Sequence, residues 1–232
     1  MTYLILGILP YFTVLIFIGA MVQRLYVWSK TPQPGAMTLT PAPDGESATF
    51  FGVIKDSFLF PGLFKSDRTL WIFAWFFHVT FALIIIGHIR VFTDFPRLWA
   101  ALGINADRMS AVSGGTAGVI ILACAIALFV RRFMLKRVRE VSGVPDYFAL
   151  LLILAVVVSG NIMRFDEHFD LAITRTYFQQ LFTFSLSSAS MPQNLLFTTH
   201  FLLGQVLIMI IPFSKIMHLG GIFFTQALIQ KA

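Results

Sequence analysis

Five blocks of about twenty apolar residues, separated by more polar or charged stretches, recur along this chain. A hydrocarbon layer ~30 Å thick demands blocks of that length from any helix that crosses it, because the segment must satisfy its own backbone N–H and C=O groups. The blocks run Tyr3–Val22, Leu70–Ile89, Ala111–Val130, Tyr147–Met163 and Leu195 to about Met217. Only 12% of the residues are charged and 57% are hydrophobic, with 26 Phe, which excludes a soluble enzyme. The expected fold is an all-α integral membrane protein: a single domain over residues 1–232 with five transmembrane helices. The first block has its basic residues, Arg24 and Lys30, after it rather than before it, so it reads as a retained span and not as a signal peptide.

An odd number of spans puts the termini on opposite sides, and the basic residues choose between the two orientations. Arg24, Lys30, Lys55, Lys65, Arg68, Arg131, Arg132, Lys136, Arg137, Arg139, Lys215 and Lys231 fall on one side. Arg90, Arg97, Arg108, Arg164 and Arg175 fall on the other. The positive-inside rule then predicts the N-terminus outside and the C-terminus in the cytoplasm. The net charge of +6 is spent on these flanks, with no aromatic-interleaved basic platform, so nucleic acid is not an expected partner. Residues 31–69 form a long cytoplasmic loop, Pro-rich at first and amphipathic around Phe50–Phe64, suited to the membrane surface, to a soluble subunit or to packing on its own helices. Residues 164–194 form the outer loop, in which Tyr177–Leu186 suits a short interfacial helix.

Chemistry is concentrated in histidine, since an ionisable side chain within an apolar span costs several kcal/mol and marks function by default. The single cysteine, Cys124, excludes an internal disulfide and any cluster or zinc site built on several thiolates of this chain. His78 and His88 lie ten positions apart on the second span, and His200 and His218 eighteen apart on the fifth. At ~1.5 Å and ~100° per residue, these spacings place two imidazoles at two depths, ~15 Å apart on one helix and ~27 Å apart on the other. The antiparallel course of the two spans pairs His88 with His200 near the outer surface and His78 with His218 near the cytoplasm. The ~12 Å mismatch falls to helix tilt and a kink at Pro212.

Two opposed imidazoles at each depth are too few for zinc, which takes about four close ligands, but they suit the two axial positions of a heme iron. Two b-type hemes at two depths would form an electron wire, and the absence of C-x-x-C-H excludes covalent c-type attachment. The alternative for each histidine is a hydrogen-bonded packing residue, and for the chain a heme-free transporter or assembly anchor. Gly114–Gly118 (GGTAG) allows close approach to the third span by a helix or a macrocycle. Arg90, Arg131, Arg132 and Arg164 sit near span ends, positioned for heme propionates or for topology alone. His168, beside Asp166, Glu167 and Asp170, reads as a surface histidine of the outer loop, with proton release or metal binding as the alternative.

The segments FFHVTFALIIIGH, SGGTAGVIILACAIALFVRRFMLKRVR and THFLLGQVLIMIIPFSKIMH resemble the diheme cytochrome b (gamma) subunit of membrane-bound respiratory nitrate reductases. The resemblance covers all five spans. It implies an electron-transfer subunit of an oxidoreductase complex in a prokaryotic cytoplasmic membrane, exchanging electrons with menaquinone or a similar quinone near the outer heme and with a cytoplasmic iron–sulfur subunit. Carried over by position, it implies His88 and His200 as outer-heme ligands and His78 and His218 as inner-heme ligands. It also matches Gly87 to a glycine at the quinone site.

Two departures bear on the branch. A lysine that the nitrate reductase subunits carry before the third span aligns near Ala106, leaving Arg108 as the nearest cation, with Asp107 beside it. The long first loop and the ending PFSKIMHLGGIFF resemble more closely the Dsr-, Hme- and Tmc-type cytochrome b subunits of sulfate reducers. That branch implies a cytoplasmic partner similar to the iron–sulfur subunit of heterodisulfide reductase and, in some complexes, an external c-type cytochrome. The nitrate reductase gamma branch is the alternative, and the direction of electron flow is open between quinol oxidation and quinone reduction.

Overall fold

The computed structural model describes residues 2–32, 45–165, 170–218 and 220–221. Among them no strand occurs, and five helices are long and apolar enough to cross a membrane. The first span is α1 (Leu9–Lys30), entered through a π-helical turn at Leu4–Ile8. In the first loop, α2 (Gly45–Leu59) and α3 (Pro61–Ser66) form a corner ahead of the second span, α4 (Arg68–His88). A short α5 (Pro96–Leu102) precedes α6 (Ala106–Met134), and α7 (Lys136–Glu140) precedes α8 (Val144–Phe165). The outer loop holds α9 (Leu171–Phe182), and α10 (Leu195–Ile210) is the last long helix. His168 and the Pro-rich stretch at 33–44 lie outside the described residues.

The helices α4 and α6 start ahead of their apolar blocks because polar side chains cap their N-termini. Asn105 accepts from Arg108 N at 2.9 Å and starts α6 five residues before its apolar block. Asp67 caps α4 through Leu70 N at 2.9 Å and pairs with Arg131 of α6 at 2.8 Å. That backbone bond and the Arg131 guanidinium hold the Asp67 carboxyl below its usual range.

The spans pack in the order α4, α6, α8, α10, α1, each against the next. Between α6 and α8 the contact is close. A Cβ on Gly118 would stand 2.6 Å from Asn161 Oδ1, and Asn161 Nδ2 donates to the Gly118 carbonyl at 3.0 Å. Gln205, buried on α10, donates to the Ile5 carbonyl in the π turn at 3.1 Å and accepts from Thr13 at 3.3 Å, which ties α10 to the first span. A cluster of Leu6, Tyr177, Leu181, Met191 and Phe197 closes the same end, with Tyr177 OH donating to the Leu6 carbonyl at 2.7 Å. Burial raises the Tyr177 phenol well above its ordinary value.

The fifth span breaks at Pro212, where the sequence leads one to expect a kink. Pro212 offers no N–H, so α10 ends at Ile210 and the chain continues as 3-10 turns at Ile211–Phe213 and Lys215–Met217 around an extended Ser214. Arg24 of α1 donates from Nε and a terminal nitrogen to the freed Pro212 carbonyl, at 3.2 and 2.9 Å. The break lies between His200 and His218, and beyond it the His218 ring comes within 5.8 Å of that of His78.

Candidate heme-binding site

Although the spans α4, α6, α8 and α10 pack each against the next, α4 and α10 share no extended packed face, and the four span histidines meet across that interval. The rings of His88 and His200 have centroids 6.3 Å apart with planes 18° from parallel. Those of His78 and His218 are 5.8 Å apart and nearly perpendicular, at 82°. Two metal–nitrogen bonds of about 2 Å, with ~1 Å more from each Nε2 to its ring centre, require a separation of ~6 Å. Both pairs have that separation.

Hydrogen bonding chooses the tautomer. His78 Nδ1 lies 2.7 Å from the Ala74 carbonyl, His88 Nδ1 2.7 Å from the Ile84 carbonyl, and His218 Nδ1 2.8 Å from the Lys215 carbonyl. A carbonyl only accepts, so Nδ1 carries the proton in each case and Nε2 keeps its lone pair for a metal. His200 differs: its Nδ1 lies 2.9 Å from Ser159 Oγ of α8, and Ser159 donates its own proton to the Val156 carbonyl at 3.0 Å. The hydroxyl therefore accepts from His200, and the same tautomer results. Behind this ring, a Cβ on Gly160 would come within 3.1 Å of His200 Cε1. Gly87 and Gly204, one before His88 and one turn beyond His200, have no atom within 4 Å of where a Cβ would stand. Among the described residues no three His, Cys, Asp or Glu side chains gather as a polydentate metal cage. Two pairs of imidazoles, each with Nδ1 tied to a protein group, fit bis-histidine heme iron and do not fit zinc.

The family model of the nitrate reductase gamma subunit matches residues 62–228, which include all four of these histidines. The chain belongs to that family. Relatives agree with the assignment. It is 30% identical to an Hdr-like menaquinol oxidoreductase cytochrome b-like subunit of Archaeoglobus fulgidus, over 94% of this chain and 76% of the relative. It is 29% identical to the protein of the same description from Archaeoglobus profundus, with the same coverage. The nitrate reductase gamma chain of Bacillus subtilis is 27% identical over 61% of this chain and 68% of its own length. In this gamma-family chain α1 and α2 precede the matched region.

The arginines at the span ends are engaged with protein groups. Arg90 pairs with Asp94 at 2.7 Å and Asp107 at 2.8 Å, and Arg175 Nε donates to the Arg90 carbonyl at 2.9 Å. Arg132 bonds Ser142 and lies over the Tyr147 ring, while Arg164 donates to the Ser110 carbonyl. Asp107 is thus a solvent-exposed ion-pair partner of Arg90. Its link to Arg90 sets exposed Arg108 at the same end of the bundle as Gly87 and His88. Ser159 and Gly160 escaped the reading of the sequence; the signal available was a run of small and polar residues, Ser159-Gly160-Asn161, within an apolar span.

Proposed function

We propose that this chain is a diheme cytochrome b subunit that carries electrons across a prokaryotic cytoplasmic membrane between menaquinol and a cytoplasmic iron–sulfur subunit of its complex. The observation that carries this reading is the juxtaposition of two imidazole pairs between α4 and α10, each ring with Nδ1 tied and Nε2 available. The family match and the names of the relatives, cytochrome b-like subunits of menaquinol oxidoreductases, support it.

His88 and His200 would hold the outer heme b, and His78 and His218 the inner one. Bound there, the hemes supply one-electron exchange. The chain's own work is to hold four imidazoles at two depths with each Nδ1 tied to a protein group. Menaquinol oxidation releases two electrons and two protons, and the outer pair, with Gly87 and Arg108 nearby, is the end at which we place it. With the basic flanks in the cytoplasm, the protons leave outside and the electrons pass inward, so the step separates charge. The Hdr-like relatives favour the sulfate-reducer branch, with a heterodisulfide-reductase-like iron–sulfur partner.

The test is a pyridine hemochrome assay with a heme-to-protein ratio on the purified chain. A b-type spectrum at two hemes per chain is expected. Folded protein without heme would sink the reading and leave a transporter or an anchor.

A further inference from the structure

The corner between α2 and α3 touches the inner imidazole pair, and its backbone is unusual. Phe60 stands at φ 49°, ψ 50°, directly before Pro61. A bulky residue is uncommon in the left-handed region, and a following proline disfavours helical backbone further. Such strain persists only where neighbouring structure enforces it. Here two indoles do so: Trp71 Nε1 donates to the Leu59 carbonyl at 2.8 Å, and Trp75 Nε1 to the Phe58 carbonyl at 3.1 Å. Both belong to the first turns of α4, two turns or less from His78. With those carbonyls fixed, the Phe60 ring meets His78 edge-on, with centroids 5.2 Å apart and planes at 74°. Phe77 meets the same imidazole at 5.4 Å and 79°.

We propose that the α2–α3 corner caps the inner imidazole pair and that Phe60 is a positioning residue for His78. The inference rests on the diheme reading and adds to it a device outside the matched family region, since α2 and Phe60 precede residue 62. An apolar ring against His78 fixes the imidazole plane and keeps water from its edge. Lower polarity around the ligand favours the reduced, less charged iron, so the cap raises the inner potential.

A redox titration of membranes containing the full chain tests this, with the inner wave assigned as the one that His78→Ala removes. Phe60→Gly accepts the left-handed backbone but deletes the ring; Phe60→Leu keeps an apolar cover. The expected result is a downward shift of the inner wave in Phe60→Gly, partial recovery in Phe60→Leu and an unmoved outer wave. Equal inner potentials in wild type and Phe60→Gly would overturn the cap. Absence of two b-type waves in the wild-type chain would instead overturn the diheme reading on which it rests.

Discussion

Ser159 Oγ on α8 stands 2.9 Å from His200 Nδ1 on α10, so that His200 has a side-chain hydroxyl from another helix at its Nδ1 in addition to the Val156 carbonyl. The hydroxyl adds electron density to the imidazole by accepting its proton, and it comes from a different helix, so it also sets the ring's orientation. Ser159→Ala leaves that N–H without this partner. The expected outcome is a rise in the outer potential, because a less basic imidazole stabilises oxidised iron less. Heme affinity should fall by roughly 10-fold or more, the usual cost of losing such a partner. Redox titration and heme content check both, with the inner wave as the internal control.

Gly160 and Gly118 make paired predictions about α8. A Cβ at Gly160 would press on His200 Cε1 from 3.1 Å, so Gly160→Ala should displace the imidazole and lower outer-heme occupancy while the chain stays folded. A Cβ at Gly118 would meet Asn161 Oδ1 at 2.6 Å, so Gly118→Ala should push α6 from α8. That change should cost about 1–3 kcal/mol, the range for overpacking, with both hemes retained in the folded fraction. Heme-to-protein ratio and thermal unfolding in detergent separate the two effects.

How much of this was legible beforehand follows from what each residue does. The four histidines stood out because ionisable groups are scarce in apolar spans and helical arithmetic fixes their depths. The span ends were read short: capped turns such as that begun by Asn105 lie beyond the apolar window yet remain helical. The kink in the last span is legible in Pro212 itself, whereas the part Arg24 plays in completing it is not. Arg24 in sequence is one more cytoplasmic-flank charge, since its partner is a backbone carbonyl 188 positions away. Ser159 is silent for the same reason, with His200 41 positions distant.

The ion-pair tie of Arg90 and Asp94, in the connection between α4 and α5, with Asp107 of α6 and Arg175 of α9 should show a defined acid response. Arg90 and Arg175 hold the Asp94 carboxyl down to about 2, from an ordinary 3.8, with the hydrogen bonds from Arg90 as the largest cause. A depressed pKa gives stability that is fully present above the unfolded value and is lost as pH falls through the folded one. The Tm difference between wild type and Asp94→Asn should therefore be constant from about pH 5 to pH 8 and shrink as pH falls from about 4 towards 2. Scanning calorimetry or fluorescence across that range reads it; a difference that varied across neutral pH would assign the effect elsewhere.

Arg24 makes the last prediction, because the carbonyl it satisfies lies at the break between His200 and His218. The Pro212 carbonyl accepts two guanidinium bonds, at 3.2 and 2.9 Å, and Pro212 itself is buried. Arg24→Gln leaves at most one weaker donor, and Arg24→Ala leaves none; an unsatisfied buried carbonyl costs about 1–3 kcal/mol. That cost falls on the segment from Ile211 to Met217, immediately before His218, and not on the interior of α10 where His200 sits. Arg24→Ala should accordingly reduce inner-heme occupancy with the outer heme retained, and Arg24→Gln should be intermediate. Heme content with separate potentials in each variant decides it. Equal loss of both hemes would mean that Arg24 supports the whole bundle rather than the turn that carries His218.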